Sequence, residues 1–157
     1  PVYIRFGKRP LPHLHAPGTR FQPGKALLVQ DGADVAFIVT GETVYPALMA
    51  AHQLQADGLS CRVISMHTIK PLDTDAVIAA ATRCHAVVTV EEHSIFGGLG
   101  EACAAVLMQA GIRVPFKIVG FPDECTVTGS QLEIFEHYGI SAPGLAQTAQ
   151  MLLNKGG

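Results

Sequence analysis

The densest group of chemically competent side chains is the stretch "VTVEEHSIFGGLG", residues 88–100. Glu91, Glu92 and His93 stand between an apolar strand pattern and the glycines Gly97, Gly98 and Gly100, after which an apolar helical pattern begins. Three chemistries fit these residue types: an acid/base site, an anion cradle, or a tight turn. Neighbouring residues at a strand end face opposite sides, so one pocket receives at most one of the two glutamates. A carboxylate accepting backbone N–H groups, or serving an interface, accounts for one of them. His93 has a side chain that titrates near neutrality, and a histidine capping an interface fits as well as a general base. Glycines at a helix start let N–H groups approach an anion. Yet "GGLGEA" lacks the GxGxxG spacing, and two carboxylates would repel a phosphate. The same glycines suit a tight strand-to-helix turn and close packing. No Ser/His/Asp order accompanies them. His13-x-His15 has a metal-like spacing but lies in a Pro-rich loop with no nearby carboxylate, so neither a catalytic nor a metal-ligating residue is assigned.

The flanking elements explain how such a stretch is positioned. Residues 34–40, "DVAFIVT", read as a buried strand, and residues 43–57 as a helix stopping at Gly58. Residues 60–66 read as strand, 70–84 as a helix with Asp73 as N-cap, and 85–91 as strand. Gly98–Ala110 reads as helix and 114–121 as strand. Ser130 and Glu133 form a capping-box pattern for a helix ending at Gly139, and Ser141 opens a terminal helix to about Leu153. This alternation, with Val/Ile-rich strands, predicts a three-layer α/β/α domain on a mainly parallel five-stranded sheet. "KALLVQDGADV" predicts a short strand turning at Asp31-Gly32 into the first core strand, which gives the sheet one antiparallel edge. In such a sheet the carboxyl ends of the strands gather ligands, and Thr40-Gly41-Glu42, His67-Thr68 and the 91–100 stretch all fall there.

Residues 1–20 read differently. "VYIRF" alternates like a strand, whereas "GKRPLPHLHAPGTRFQPG" is aperiodic and rich in Pro and Gly, like a linker. An isolated strand leaves its backbone unpaired, so Val2–Phe6 pairs at this domain's edge or belongs to another sheet. The expected division is residues 1–20 as strand plus linker and 21–157 as the domain.

Composition narrows the partners. The chain has 157 residues, 48% apolar, with a formal charge of −2, a size that suits one α/β domain and a charge that offers no basic field for nucleic acid. No apolar run approaches the roughly 20 residues that cross a bilayer, and the N-terminus lacks a signal-peptide pattern, which points to a cytoplasmic protein without membrane partners. The cysteines Cys61, Cys84, Cys103 and Cys125 form no CxxC pair and read as small, mostly buried side chains.

"VISMHTIKPLD", "VVTVEEHSIFGGLGEA" and "FEHYGI" after "TGS" resemble, in order and spacing from about Gly24 onward, the C-terminal domain of transketolases and related thiamine-diphosphate enzymes. The likeness is greatest to the C-terminal section that occurs as a separate subunit in split enzymes. It implies that "PVYIRFGKRP" is the last strand of a preceding pyrimidine-binding domain and its exit. It also implies ketol transfer between sugar phosphates with thiamine diphosphate and Mg²⁺, the cofactor doing the carbanion chemistry in regions absent from this chain. This domain would support a homodimer or heterotetramer with an upstream or separate cofactor-binding portion, with Glu91, Glu92, His93, Phe96, Gly97, Gly98 and Gly100 at an interface or crevice. In the resembled family a basic residue at the exit of the pyrimidine-domain strand contacts the sugar phosphate; here that position is Lys8, with Arg9 beside it. Lysine is a point charge without the arginine fork. A second departure is "DECTVTG" at 123–129, which leaves that loop without assigned roles.

The domain also occurs in 1-deoxyxylulose-5-phosphate synthase and 2-oxo-acid dehydrogenase β subunits. A pure dimerisation module, with Ile95 and Phe96 at its interface, is the second alternative, and a small-ligand regulatory module near Thr40, His67 and Glu91 the third.

Overall fold

A computed structural model describes residues 2–7 and 10–155. The strands are β1 (Leu27–Gln30), β2 (Val35–Val39), β3 (Cys61–Ser65), β4 (Ala86–Ser94) and β5 (Phe116–Phe121). The helices are α1 (Val44–Ala56), α2 (Thr74–Arg83), α3 (Leu99–Gln109), α4 (Gln131–His137) and α5 (Ala142–Lys155). One sheet holds the strands in the order β1-β3-β2-β4-β5. β2 runs parallel to both β3 and β4, β4 runs parallel to β5, and β1 is antiparallel to β3. This is the expected three-layer architecture. No helix among the described residues is long and apolar enough to cross a membrane.

β2 explains the arrangement. All five of its residues are buried, which suits only a strand covered on both faces. Phe37 sits in register between Val63 of β3 and Val88 of β4. On one face Val35, Phe37, Val39, Val63, Val88 and Val90 pack with Ala47 and Leu54 of α1, Phe135 of α4 and Leu145 of α5. On the other, Ala36, Ile38, Ile64 and Val87 pack with Val77 of α2 and Leu99, Cys103 and Leu107 of α3. Even-numbered residues of β4 therefore face α1 and α5, and Val87 faces α2 and α3.

Two expectations need correction. The Asp31-Gly32 turn does not fold β1 back onto β2; β1 pairs with β3 instead. At this turn the Ala33 and Asp34 N–H groups donate to the Ser60 carbonyl, and a Cβ on Gly32 would overlap the Cys61 backbone. The chain thus crosses the amino end of β3 closely enough to leave β1 on its far side. Asp31 fixes the crossing, pairing with Arg62 and, at 3.4 Å, with Arg83. Second, β4 does not stop at 91 but continues to Ser94, so Glu91, Glu92 and His93 are strand residues. Its pairing with β5 shifts between Val90 and Ser94, where a Cβ on Gly120 would come 2.8 Å from the His93 carbonyl oxygen. Residues 2–6 are exposed and belong to no strand among the described residues.

Asp73 ties the first strand to the second helix. Its carboxylate accepts the Ala76 N–H (3.2 Å), capping α2, and the Ala26 N–H (2.9 Å) just before β1, with Lys25 Nζ 3.5 Å away. Burial acts to raise its pKa, but the Ala26 and Ala76 N–H groups and Lys25 overcome this and hold it below the ordinary value. Ser130 and Glu133 make the expected reciprocal capping box on α4.

Asp73→Ala removes both backbone contacts and is expected to cost about 1–2 kcal/mol in urea unfolding at neutral pH. A depressed native pKa contributes stability that is complete above the unfolded value of about 3.9 and is lost as pH falls through the lower native one. Wild type and variant should therefore converge in acid, and a gap that stays constant to pH 2.5 refutes the assignment. A second expectation concerns thiols: burial pushes Cys61 and Cys103 up to about 12 and raises Cys84, whereas Cys125 is exposed. In a thiol-disulfide colour assay at pH 8, Cys125 alone should react before denaturation.

Candidate functional site

The carboxyl ends of β2, β3 and β4 bring together Thr40–Glu42, Met66–Thr68 and Glu91–Ser94. Glu91 follows the inward side of β4 toward α3 and is 2% exposed. Its Oε2 accepts the Leu99 N–H and its Oε1 the Gly100 N–H, both at 2.8 Å. A helix start leaves N–H groups unpaired and carries partial positive charge, so this carboxylate satisfies two donors and complements the dipole. The local sequence permits nothing bulkier. Gly97 takes φ +74°, the left-handed region that favours glycine, and its N–H donates to Glu101 Oε2 at 2.7 Å. A Cβ on Gly98 would overlap the Glu91 carboxylate, and one on Gly100 would overlap Ile118 and press on Thr89 Oγ1. The glycine-rich turn is thus occupied by the chain's own anion.

Glu92 points to the opposite side. Its Oε1 accepts from Gln131 Nε2 (3.0 Å), the same amide that donates to Glu42 Oε2. Two carboxylate acceptors require the NH₂ end of Gln131 to face them. Arg5 Nη1 donates to the Glu92 carbonyl at 2.9 Å, and Arg5 Nη2 lies 4.0 Å from Glu92 Oε2. Glu42 is buried, and a Cβ on Gly7 would overlap Glu42 Oε1, so the N-terminal segment runs directly over this carboxylate.

His93 is exposed, its Nδ1 2.9 Å from the Ser94 carbonyl oxygen, which makes Nδ1 the protonated nitrogen. Phe96 is 55% exposed. Glu91, Glu92 and His93 therefore occupy three separate environments and form no acid/base unit. His67 packs edge-on beneath Phe21 (5.2 Å), which in turn meets His15 (5.0 Å); His67 Nδ1 lies 3.0 Å from Thr68 Oγ1. Phe21 thus packs over His67 at the β3 end of this edge. Lys8 and Arg9 lie outside the described residues. Sequence reasoning does not single out Arg5 or Gln131, and it places Glu42 at this edge without a role; the contacts that join them span 39–89 residues, and no local pattern links them.

The start of α3, the anion cradle that the glycines suggest, is taken up by Glu91, and among the described residues no three His, Cys, Asp or Glu side chains converge as metal ligands. Glu91→Ala would leave two buried N–H groups without acceptors, and a loss of about 3 kcal/mol is expected. Gly98→Ala should destabilise similarly by displacing the carboxylate. Denaturant unfolding of both variants checks this, and two near-neutral results would contradict the capping role.

Known proteins share this sequence and fold. Residues 24–145 match the family model described as "Transketolase, C-terminal domain". An apulose-4-phosphate transketolase subunit of Phocaeicola vulgatus is 41% identical over 156 residues, covering 99% of this chain and 49% of that protein. A 6-deoxy-6-sulfo-D-fructose transketolase subunit of a Clostridium species is 38% identical, covering 95% and 46% respectively. A solved structure described as "Split gene transketolase, inactive beta4 tetramer" superposes with a TM-score of 0.82 at 37% identity, over 92% of this chain and 46% of that one. A 1-deoxy-D-xylulose-5-phosphate synthase of Geobacter metallireducens is 37% identical over 78% of the chain but only 20% of its own length. The chain spans about half the length of the transketolase subunits it matches. On sequence and fold together, it belongs to the transketolase C-terminal domain family.

Proposed function

We propose that this chain is the C-terminal part of a thiamine-diphosphate-dependent transketolase-like transferase that moves ketol units between sugar phosphates. In this reading it supports assembly and the edge of the active site, and another portion of the enzyme carries the cofactor and Mg²⁺. The observation that carries the division of labour is the Glu91 carboxylate across the start of α3, which takes the Leu99 and Gly100 N–H groups that a diphosphate would use there. Relatives described as transketolase subunits support the reaction class. Residues 1–20 are read as the last strand of a preceding pyrimidine-binding domain and its exit, and the unpaired, exposed Val2–Phe6 segment is in keeping with a strand whose sheet lies in that domain. The assembly is read as an oligomer with active sites between chains, and Phe96 with its neighbours as interface residues. Free cysteines are in keeping with a cytoplasmic setting.

Calorimetric titration of thiamine diphosphate with Mg²⁺ into this chain is expected to give no saturable heat. Tight binding would overturn the division of labour. In the complete enzyme, Lys8→Ala should raise KM for a ketose phosphate more than for the unphosphorylated ketose; equal effects would remove Lys8 from phosphate recognition.

A further inference from the structure

We propose that the cleft between the end of α3 and the start of β5 is a binding site for a small amphipathic carboxylate, whose apolar tail lies between the two elements and whose carboxylate pairs with Arg113. The cleft lies at the amino end of β5, away from the carboxyl edge described above, and its occupancy does not depend on the reaction proposed for the chain.

The way α3 ends opens this cleft. The Gly111 N–H donates to the Met108 carbonyl (3.2 Å) and the Ile112 N–H to the Leu107 carbonyl (3.0 Å), with Gly111 at φ +68°. This left-handed closure turns the chain out of the helix and toward β5. Ile112, Val114 and Phe116 of that stretch pack against the core on the Ala36 side and stay half-buried. The helix contributes Ala104, too small to fill the space, and Met108, which is 78% exposed. β5 is the last strand of the sheet, so no further strand closes the gap. The result is a cleft of about 480 Å³. Small-molecule sites span about 300–1,000 Å³.

The charge of the cleft is as specific as its walls are apolar. Arg113 is the only charged residue that lines it. Its side chain is exposed and has no ion pair among the described residues, whereas Arg5, Arg62 and Arg83 each meet a carboxylate. An apolar trough with one unpaired guanidinium matches a ligand with one carboxylate and a hydrocarbon tail. The arginine fork takes both oxygens, and each methylene removed from water adds affinity. The flexible Met108 thioether adapts to the tail. A ligand that is polar along its whole length would leave its hydroxyls unpaired against these walls.

The test adds octanoate, and separately octanol, to the full chain carrying methyl-labelled methionine, read by NMR. Of the four methionines, Met108 alone lines the cleft, and Met66, 1% exposed, reports on the core. The Met108 methyl resonance is expected to shift saturably with octanoate while that of Met66 stays in place. Octanol should bind roughly three- to tenfold more weakly, and Arg113→Gln should abolish that preference. Ala104→Leu, which fills the cleft, should weaken both ligands alike. Arg113 is exposed, so its variant keeps the test decisive should Ala104→Leu disturb the packing of α3. No saturable shift, equal affinity for acid and alcohol, a preference that survives Arg113→Gln, or shifts spread over all four methionines would each overturn the proposal. So would a Met108 resonance that moves with the concentration of the chain alone, which would make the cleft a contact between copies.

Discussion

The Glu91 carboxylate on the start of α3 is the contact on which the rest of this edge depends. A buried charge is tolerated only with partners, and here the partners are backbone N–H groups that the helix leaves unpaired. The requirement runs in both directions. Glu91 needs the helix start to arrive within hydrogen-bond distance, and the helix start arrives there because Gly98 and Gly100 have no side chains to hold it off. α3 in turn covers one face of β4 and β2 through Leu99, Cys103 and Leu107. A turn whose residue types suggest catalysis is in fact the closure of a strand-helix joint.

Once β4 extends to Ser94, strand alternation sends Glu92 to the side opposite Glu91, toward α4 and the N-terminal segment. The two neighbouring glutamates therefore serve different layers: one secures a helix, the other meets the incoming chain. A single peptide bond thus separates the contact that closes the helix start from the one that meets the N-terminal segment.

Much of this was legible in the sequence. The continuous apolar run of β2, the Asp73 cap and the Ser130/Glu133 box are local patterns, and local patterns are what periodicity reports. So was one of the two structural roles offered for a glutamate, acceptance of backbone N–H groups, which Glu91 fills. Illegible were the features set by distant partners. The pairing of β1 with β3 depends on how tightly Gly32 passes the Cys61 backbone, not on the turn residues by themselves. The extension of β4 depends on β5 accepting a shifted register near Gly120. The Arg5–Glu92–Gln131–Glu42 group joins three elements and the N-terminal segment, and each member alone looks like an ordinary surface polar residue.

The path of the N-terminal segment has a mechanical consequence. From Arg5 at the β4 end it passes Glu42 beyond β2, places Phe21 on His67 beyond β3 and arrives at Asp73 just before β1. It thus traverses three strand spacings, roughly 14 Å, in the direction opposite to the sheet's growth from β2 to β5. Tension applied at residue 2 would load these contacts one after another, like a seam opened from its end, with the Arg5 contact first and the Asp73 anchor last. The sheet would feel the pull only after the whole seam had opened, so the segment shields the packing of the domain's core from load applied at its start.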